Sequence, residues 1–285
     1  MKITQPDRNV LDIIFTGANK QDHSIMAMSD VHFDSCKCDV PLFEKHLQIA
    51  EDNKSIVLIA GDMFDAMQGH DDPRRSLNDL KREYASDNYL DLIVLDVAKT
   101  LLKYNVTYII GMGNHESSVE RKSNTNLIQR LCHEINTNGG HAHSMGYWGF
   151  LRVTVGYDKG KASYQKTVYW HHGSGSGAPV TKGVIETARQ AAYLPDADIV
   201  INGHNHQSYS LPVAKISLSK AGVPVQVNQW FVRTPGYKMN GLIAGDRSGF
   251  DIEKNPIPTP RGCVKIDFAF DHHVGLTITP TILLW

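Results

Sequence analysis

The chain has 285 residues, 41% of them hydrophobic, and 29 Lys plus Arg against 30 Asp plus Glu leave a formal charge of -1. That length and apolar content support a sizeable core. A balance so near neutrality excludes any global attraction to nucleic acid or an acidic membrane, so polyanion binding has to be local.

Four cysteines, Cys36, Cys38, Cys132 and Cys263, lack CxxC pairing and are too sparse for a disulfide framework. Reduced thiols in a cytoplasmic compartment are expected. The apolar piece 11–15 is too short for a signal segment, and no stretch approaches the ~20 apolar residues of a membrane helix. No membrane partner is expected, and oligomeric state is not legible.

In chain order, the first half alternates short apolar runs with helical periodicity. Residues 25–28 read as a strand that runs into Asp30-Val31-His32. Leu42, Phe43, His46, Leu47 and Ile49 then mark a helix over 41–52. The run 56–60 leads into Gly61-Asp62-Met63-Phe64-Asp65, and a polar excursion over about 66–88 follows, containing Pro73, Arg74 and Arg75. Leu90, Ile93, Val94, Val97, Leu101 and Leu102 predict a second helix over 89–103, after which 108–110 leads into Gly113-Asn114-His115-Glu116.

From Gly146 onward, β-rich runs at 148–157, 166–170, 223–233 and 264–270 are divided by Gly and Pro turns. The third of the strand-end histidine blocks, His171-His172-Gly173, follows 168–170, and Gly203-His204-Asn205-His206 follows 199–201. One α/β domain over residues 1–285, with two sheets, is the predicted architecture.

Five strand ends thus carry carboxylate, imidazole or amide groups, a composition suited to a pair of metal ions. On an extended chain residues two apart share a face, so Asp30 and His32 can reach one ion, as can His204 and His206. Asp62 follows a glycine that permits a sharp turn, and its two oxygens can bridge two ions. Asp65 is expected to orient the loop or a neighbouring histidine. Adjacent side chains diverge, which lets Asn114 offer its amide oxygen to metal while His115 reaches toward substrate. Glu116 reads either as a partner of an imidazole or as a helix-start carboxylate. Between the two adjacent histidines His172 is favoured, because it precedes Gly173 and Ser174-Gly175-Ser176-Gly177. His141-Ala142-His143 and His272-His273 are assigned to ordinary surface, as are His23, His46, His70 and His133. Hard oxygen and nitrogen ligation leaves Cys36 and Cys38 out of the set.

The order and wording of the blocks, D-x-H, G-D-x-x-D, G-N-H-E, H and G-H-x-H across residues 30 to 206, resemble the calcineurin-like metallophosphoesterase superfamily. The resemblance implies a four-layer αββα sandwich with a dinuclear metal site at the strand ends. It implies that Asp30, His32, Asp62 and His206 hold one ion, that Asp62, Asn114, His172 and His204 hold the other, and that His115 contacts the scissile phosphate. A metal-bridging hydroxide would then be the nucleophile. Mixed imidazole, carboxylate and amide ligation points away from magnesium and toward manganese, ahead of iron, zinc, cobalt or nickel.

The Gly-Asp-Met-Phe-Asp block looks like that of the double-strand-break repair nucleases of the superfamily, while the compact chain resembles its stand-alone bacterial and phage members. Arg74, Arg75, Arg121, Lys122 and Lys182 follow metal blocks and are candidate phosphate contacts. A phosphodiesterase with nucleic acid as a candidate substrate is the leading expectation, with a phosphomonoesterase as the alternative. A non-catalytic scaffold is disfavoured because every block is intact.

Overall fold

The structure is a computed structural model that describes residues 1–16, 23–66, 79–156, 163–175, 180–219, 222–245, 258–271 and 275–285. Arg74, Arg75, His70, His272 and His273 lie outside these residues. The elements run β1 Lys2–Asp7, β2 Val10–Thr16, β3 His23–Met28, α1 Val40–Asp52, β4 Ile56–Ile59, α2 Tyr89–Leu101 and β5 Thr107–Ile110. They continue α3 Asn114–Ser123, α4 Leu127–Thr137, β6 His141–Ser144, β7 Trp148–Gly156, β8 Ser163–His171 and α5 Val184–Tyr193. Last come β9 Ile199–Asn202, β10 Tyr209–Leu218, β11 Pro224–Arg233, β12 Gly262–Asp271 and β13 Gly275–Leu284.

One sheet orders its six strands β13-β12-β3-β4-β5-β6 and the other its seven strands β1-β2-β7-β8-β9-β11-β10. The β3, β4, β5 and β6 neighbours pair in parallel, which requires crossovers, and α1, α2 and α4 supply them. Strand alternation sorts the core. Ile25, Ala27, Ile56 and Leu58 face the second sheet and meet Leu11, Ile13, Leu151, Val153, Val168, Trp170, Ile199 and Ile201. Their neighbours Met26, Met28, Val57 and Ile59 face the helices, whose stripes include Phe43, Leu47, Ile93, Val97, Leu131 and Ile135.

Helix starts are fixed by side chains. Asp39 accepts from the Leu42 amide at 3.2 Å ahead of α1, and Asn126 accepts from the Gln129 amide at 2.9 Å ahead of α4. On the outer face of the seven-stranded sheet, α5 packs Ala191 and Leu194 against Val200 and Phe231. These layers form a two-sheet sandwich with helices on both outer faces. Among the described residues no helix is long and apolar enough to cross a membrane.

Residues 11–15 lie in β2, with Leu11, Ile13 and Phe15 facing the core. His141-Ala142-His143 is strand β6, in register with Thr107 to Ile109 of β5; His141 sits at its start, the end opposite the metal blocks. Sequence does not betray so short a strand because its partner supplies the pairing. His46 is buried, not surface: it lies on the inward face of α1, with Nδ1 2.9 Å from the Tyr237 hydroxyl.

Burial, with help from the Lys45 charge, pushes the His46 pKa down from an ordinary 6.5 to about 4. Between those values the unfolded chain binds the proton and the folded one does not, so stability rises with pH through the window and falls on acidification. His46→Gln should flatten that slope by at most about 3 kcal/mol between pH 6.5 and 4. Urea titrations of the metal-free proteins check this, and parallel slopes would rule it out.

Candidate metal centre

The metal blocks lie just past the ends of β3, β4, β5, β8 and β9. Asp30 and His32 are not extended, as the sequence reading supposed. Their φ values are 52° and 49°, and Asp62, His204 and His206 are left-handed too at 51°, 74° and 55°. Such backbone is costly for residues bearing a Cβ and clusters at functional sites. The two-apart residues converge because the chain curls, not because a strand alternates. The curl is fixed by backbone pairing, with the Asp30 amide donating to Gly61 O at 3.0 Å and the His32 amide to Asp62 O at 3.1 Å.

Three groups of acceptor-bearing side chains come together, each with ligand atoms within 4.8 Å of one another: Asp30, His32 and His206; His32, Asp65 and His115; and Asp62, His172 and His204. Hydrogen bonds on their outer sides decide which atoms face inward. The Ser29 hydroxyl and the His204 amide, the latter at 2.8 Å, donate to Asp30 Oδ2. Asp30 Oδ1 is left buried with no hydrogen-bond donor, 3.6 Å from His206 Nε2.

The Asp62 carboxylate is held similarly. Its Oδ1 accepts from the His115 amide at 3.0 Å, while Oδ2 lies 3.1 Å from His172 Nε2 and 3.8 Å from His115 Nε2. His172 donates from Nδ1 to Ala60 O at 2.9 Å, because a carbonyl cannot donate. Its Nε2 therefore faces Asp62, with Asn114 Oδ1 3.1 Å away and His204 Nδ1 3.3 Å away. The neighbouring His171 is half-buried and accepts from the Gly173 amide at 2.8 Å, away from this cluster. His32 turns Nδ1 toward Asp65 Oδ1 at 2.9 Å, which leaves Nε2 for the interior.

Glu116 touches no imidazole. Fully buried, it accepts from the amides of Gly113 at 2.8 Å, Asp62 at 3.2 Å and Phe64 at 2.9 Å, so one carboxylate caps α3 and fastens two metal loops together. The helix-start reading is the one the structure shows, and its Phe64 and Asp62 contacts cross 52 and 54 residues that no local pattern reveals.

The electrostatics have one theme. Burial opposes charge on His172, yet Asp62 and Asp30 raise its pKa to about 9. Burial would likewise lift Asp62, but His115 and His172 hold it well below the usual carboxylate range. His32 is pushed down to about 4 by burial, against its hydrogen bond with Asp65, and so stays neutral and free to ligate. Glu116 is lifted to about 7 by burial and by Asp62. A buried imidazole that keeps its proton here marks a place that stabilises positive charge, and a divalent ion would compete for it. The donorless Asp30 oxygen and the facing nitrogen and oxygen atoms of Asp62, Asn114, His172 and His204 fit divalent cations, which would take the place of the His172 proton.

Several site neighbours escaped the sequence reading. Lys238 Nζ lies 2.9 Å from Asp65 Oδ1. Buried Arg233 donates to Gly203 O and Glu186 Oε2, each at 2.7 Å, and so ties the His204 loop to α5. The Tyr147 ring packs 5.3 Å from that of His172. Residues 234–239 do border the cleft, since the Tyr237 amide donates to Asp30 O at 2.9 Å. Of the candidate phosphate contacts, Arg121 is exposed in the last turn of α3, where its charge reaches Tyr147. Lys182 is exposed just ahead of α5, beside a glycine that packs on Asn205. Cys36 is exposed and Cys38 buried.

The sequence profile of the calcineurin-like phosphoesterases matches residues 23–208. The chain belongs to that family. Its reaction class is metal-dependent phosphoester hydrolysis. Among solved structures, the chain is similar to a zinc-complexed Vps29 from Entamoeba histolytica, at 10% identity and TM-score 0.35, covering 91% of this chain and 98% of that one. It is also similar to a putative 5'-nucleotidase from Staphylococcus aureus, at 13% identity and TM-score 0.42, over 92% of this chain and 54% of the other. No protein of curated function matches it in sequence.

Gly113 offers a direct check on the loop packing. A Cβ there would fall 2.0 Å from Asp62 Oδ1 and 2.4 Å from the Asp62 amide nitrogen, inside the fastened loops. Gly113→Ala should leave the protein folded by circular dichroism but lower bound metal, read by elemental analysis, to below half of wild type. Full metal content in a folded variant would contradict this placement.

Proposed function

We propose that the chain is a dinuclear-metal phosphodiesterase of one domain, with nucleic acid strands as its candidate substrates. The observation that carries the reading is the gathering of Asp62, His172 and His204 into one ligand group beside that of Asp30, His32 and His206, with His115 Nε2 facing the same Asp62 oxygen as His172 Nε2. Asp30, His32, Asp62 and His206 would hold one ion, and Asp62, Asn114, His172 and His204 the other. Manganese is the ion we favour for this mixed nitrogen and oxygen set. When bound, a metal pair supplies Lewis acidity at phosphorus and lowers the pKa of water toward ~7.

The chain's own residues supply the rest. Asp62 is held by the His115 amide at one oxygen, so the other keeps a fixed direction. His115 donates from Nδ1 to Asp65 O, which leaves Nε2 as the atom that holds or delivers a proton to the departing oxygen. Tyr147 packs its ring against His172 and its hydroxyl donates to Gly173 O at 3.1 Å, which holds the His172 side of the site in place.

Charge favours a diester over a monoester. A monoester dianion calls for extra fixed cations, whereas Lys238 and Arg233 at the site loops are each committed to an acid and Lys81 lies over the Phe33 ring. Arg121 and Lys182 stand at the rim, where they suit a singly charged backbone phosphate.

With manganese, bis-p-nitrophenyl phosphate should be turned over at least ~10-fold faster than p-nitrophenyl phosphate, and single-stranded DNA should be cut. Monoester turnover as fast or faster, with DNA untouched, would favour the monoesterase. His115→Asn should keep both ions and lose ~100-fold or more in kcat, less on esters with acidic leaving groups. Asp62→Asn should bring metal content below two ions per chain; full occupancy would refute a bridging role.

A further inference from the structure

Asp34 is a fully buried carboxylate that the hydrolysis described above does not use. Its Oδ1 accepts from the Asp65 amide at 2.6 Å, and its Oδ2 accepts from the Ala66 amide at 3.0 Å and from the Tyr89 hydroxyl at 2.5 Å. The Ala66 N–H and the Asp65 C=O belong to one peptide unit. That unit is planar, with the two groups pointing in opposite directions. The Asp65 carbonyl is the acceptor for His115 Nδ1. A carboxylate thus grips one end of a rigid plate whose other end holds the imidazole.

We propose that Asp34 is a positioning residue for His115, acting through the Asp65–Ala66 peptide plane. Two effects follow from the geometry. The grip fixes the plane, which Ala66 needs because its φ of 47° is a conformation that residues with a Cβ rarely adopt. The hydrogen bond that the Asp34 carboxyl accepts at the N–H also polarises the peptide, making its carbonyl a stronger acceptor and securing the Nδ1–H tautomer of His115. The same loop turns the Asp65 carboxylate to His32 Nδ1 and Lys238 Nζ, so one anchor serves two histidines. Tyr89, the first residue of α2, connects the anchor to the helical layer.

The proposal rests on His115 acting in hydrolysis, and its test separates the two ideas. The Nδ1 proton of His115 is followed by nitrogen-edited NMR in protein loaded with zinc, which has no unpaired electrons. Asp34→Asn removes the charge at nearly constant shape and should shift that proton upfield and speed its exchange. Tyr89→Phe removes a donor that competes for Oδ2 and should shift it downfield. Kinetically, Asp34→Asn should lower kcat ~10-fold with KM within about twofold and metal content unchanged. In a His115→Asn background it should lower kcat no further.

A merely structural role would add its loss to that background and leave the His115 proton unmoved. An unmoved proton in both variants, or in Tyr89→Phe alone if Asp34→Asn does not fold, overturns the proposal. If His115→Asn keeps full activity, the reading of hydrolysis fails, while the proton shifts still decide the role of Asp34.

Discussion

The rest of the structure depends on a buried shortage of protons at one edge of the sandwich. Asp30 and Asp62 each commit one oxygen to backbone or hydroxyl donors and send the other toward imidazole nitrogens. Such a cluster repels itself unless something positive joins it, because desolvated acceptors gain nothing from one another. The sheets matter to function because they keep the cluster from relaxing apart.

That rigidity is visible in the backbone. Asp30, His32, Asp62, Ala66, His204 and His206 share left-handed φ values, an accumulation that loops on the surface would relieve. Here each curl begins where a buried parallel strand ends. Ladder hydrogen bonds continue past the strands, from Ala60 N to Met28 O and from Gly111 N to Ile59 O, so the turns inherit a fixed start. Between the sheets Trp170 fills the space under Gly111, where a Cβ would lie 2.0 Å from its ring. Packing, pairing and strain are thus parts of one device that aims lone pairs.

The chemistry was legible in the sequence because ligand atoms cannot be exchanged for others without losing the metal, and the strands before them are short apolar runs. Periodicity found α1 and α2 within two residues at each end, since each buries a regular stripe. It missed α3, which begins on the third metal block itself and buries His115 and Glu116 in place of an apolar stripe. It also missed β10 and β13, which sit at sheet edges with mixed exposure. The convergence of Asp30 with His32 was anticipated for the wrong reason, strand alternation, because left-handed turns leave no mark on residues other than glycine. The supporting residues were harder still. Asp34 and Arg233 act through backbone amides and carbonyls, whose positions depend on chain crossings that local patterns do not encode.

Those supports explain how the two halves of the site are kept in step. On the six-stranded side, Glu116 binds the Asp62 and Gly113 loops into one body, and Asp34 binds the Asp65 loop to α2. On the seven-stranded side, Arg233 binds the Gly203 loop to α5. Polar bonds also cross between the sides: Asp30 reaches the His204 amide with its carboxylate and the Tyr237 amide with its carbonyl, Ser29 meets Thr234, and His172 donates to Ala60 O. Each side is internally braced, and the spacing between them is set by these bonds together with the apolar layer. A change in that layer would be felt at the metal edge as a change in the distance between ligand groups, with no ligand altered.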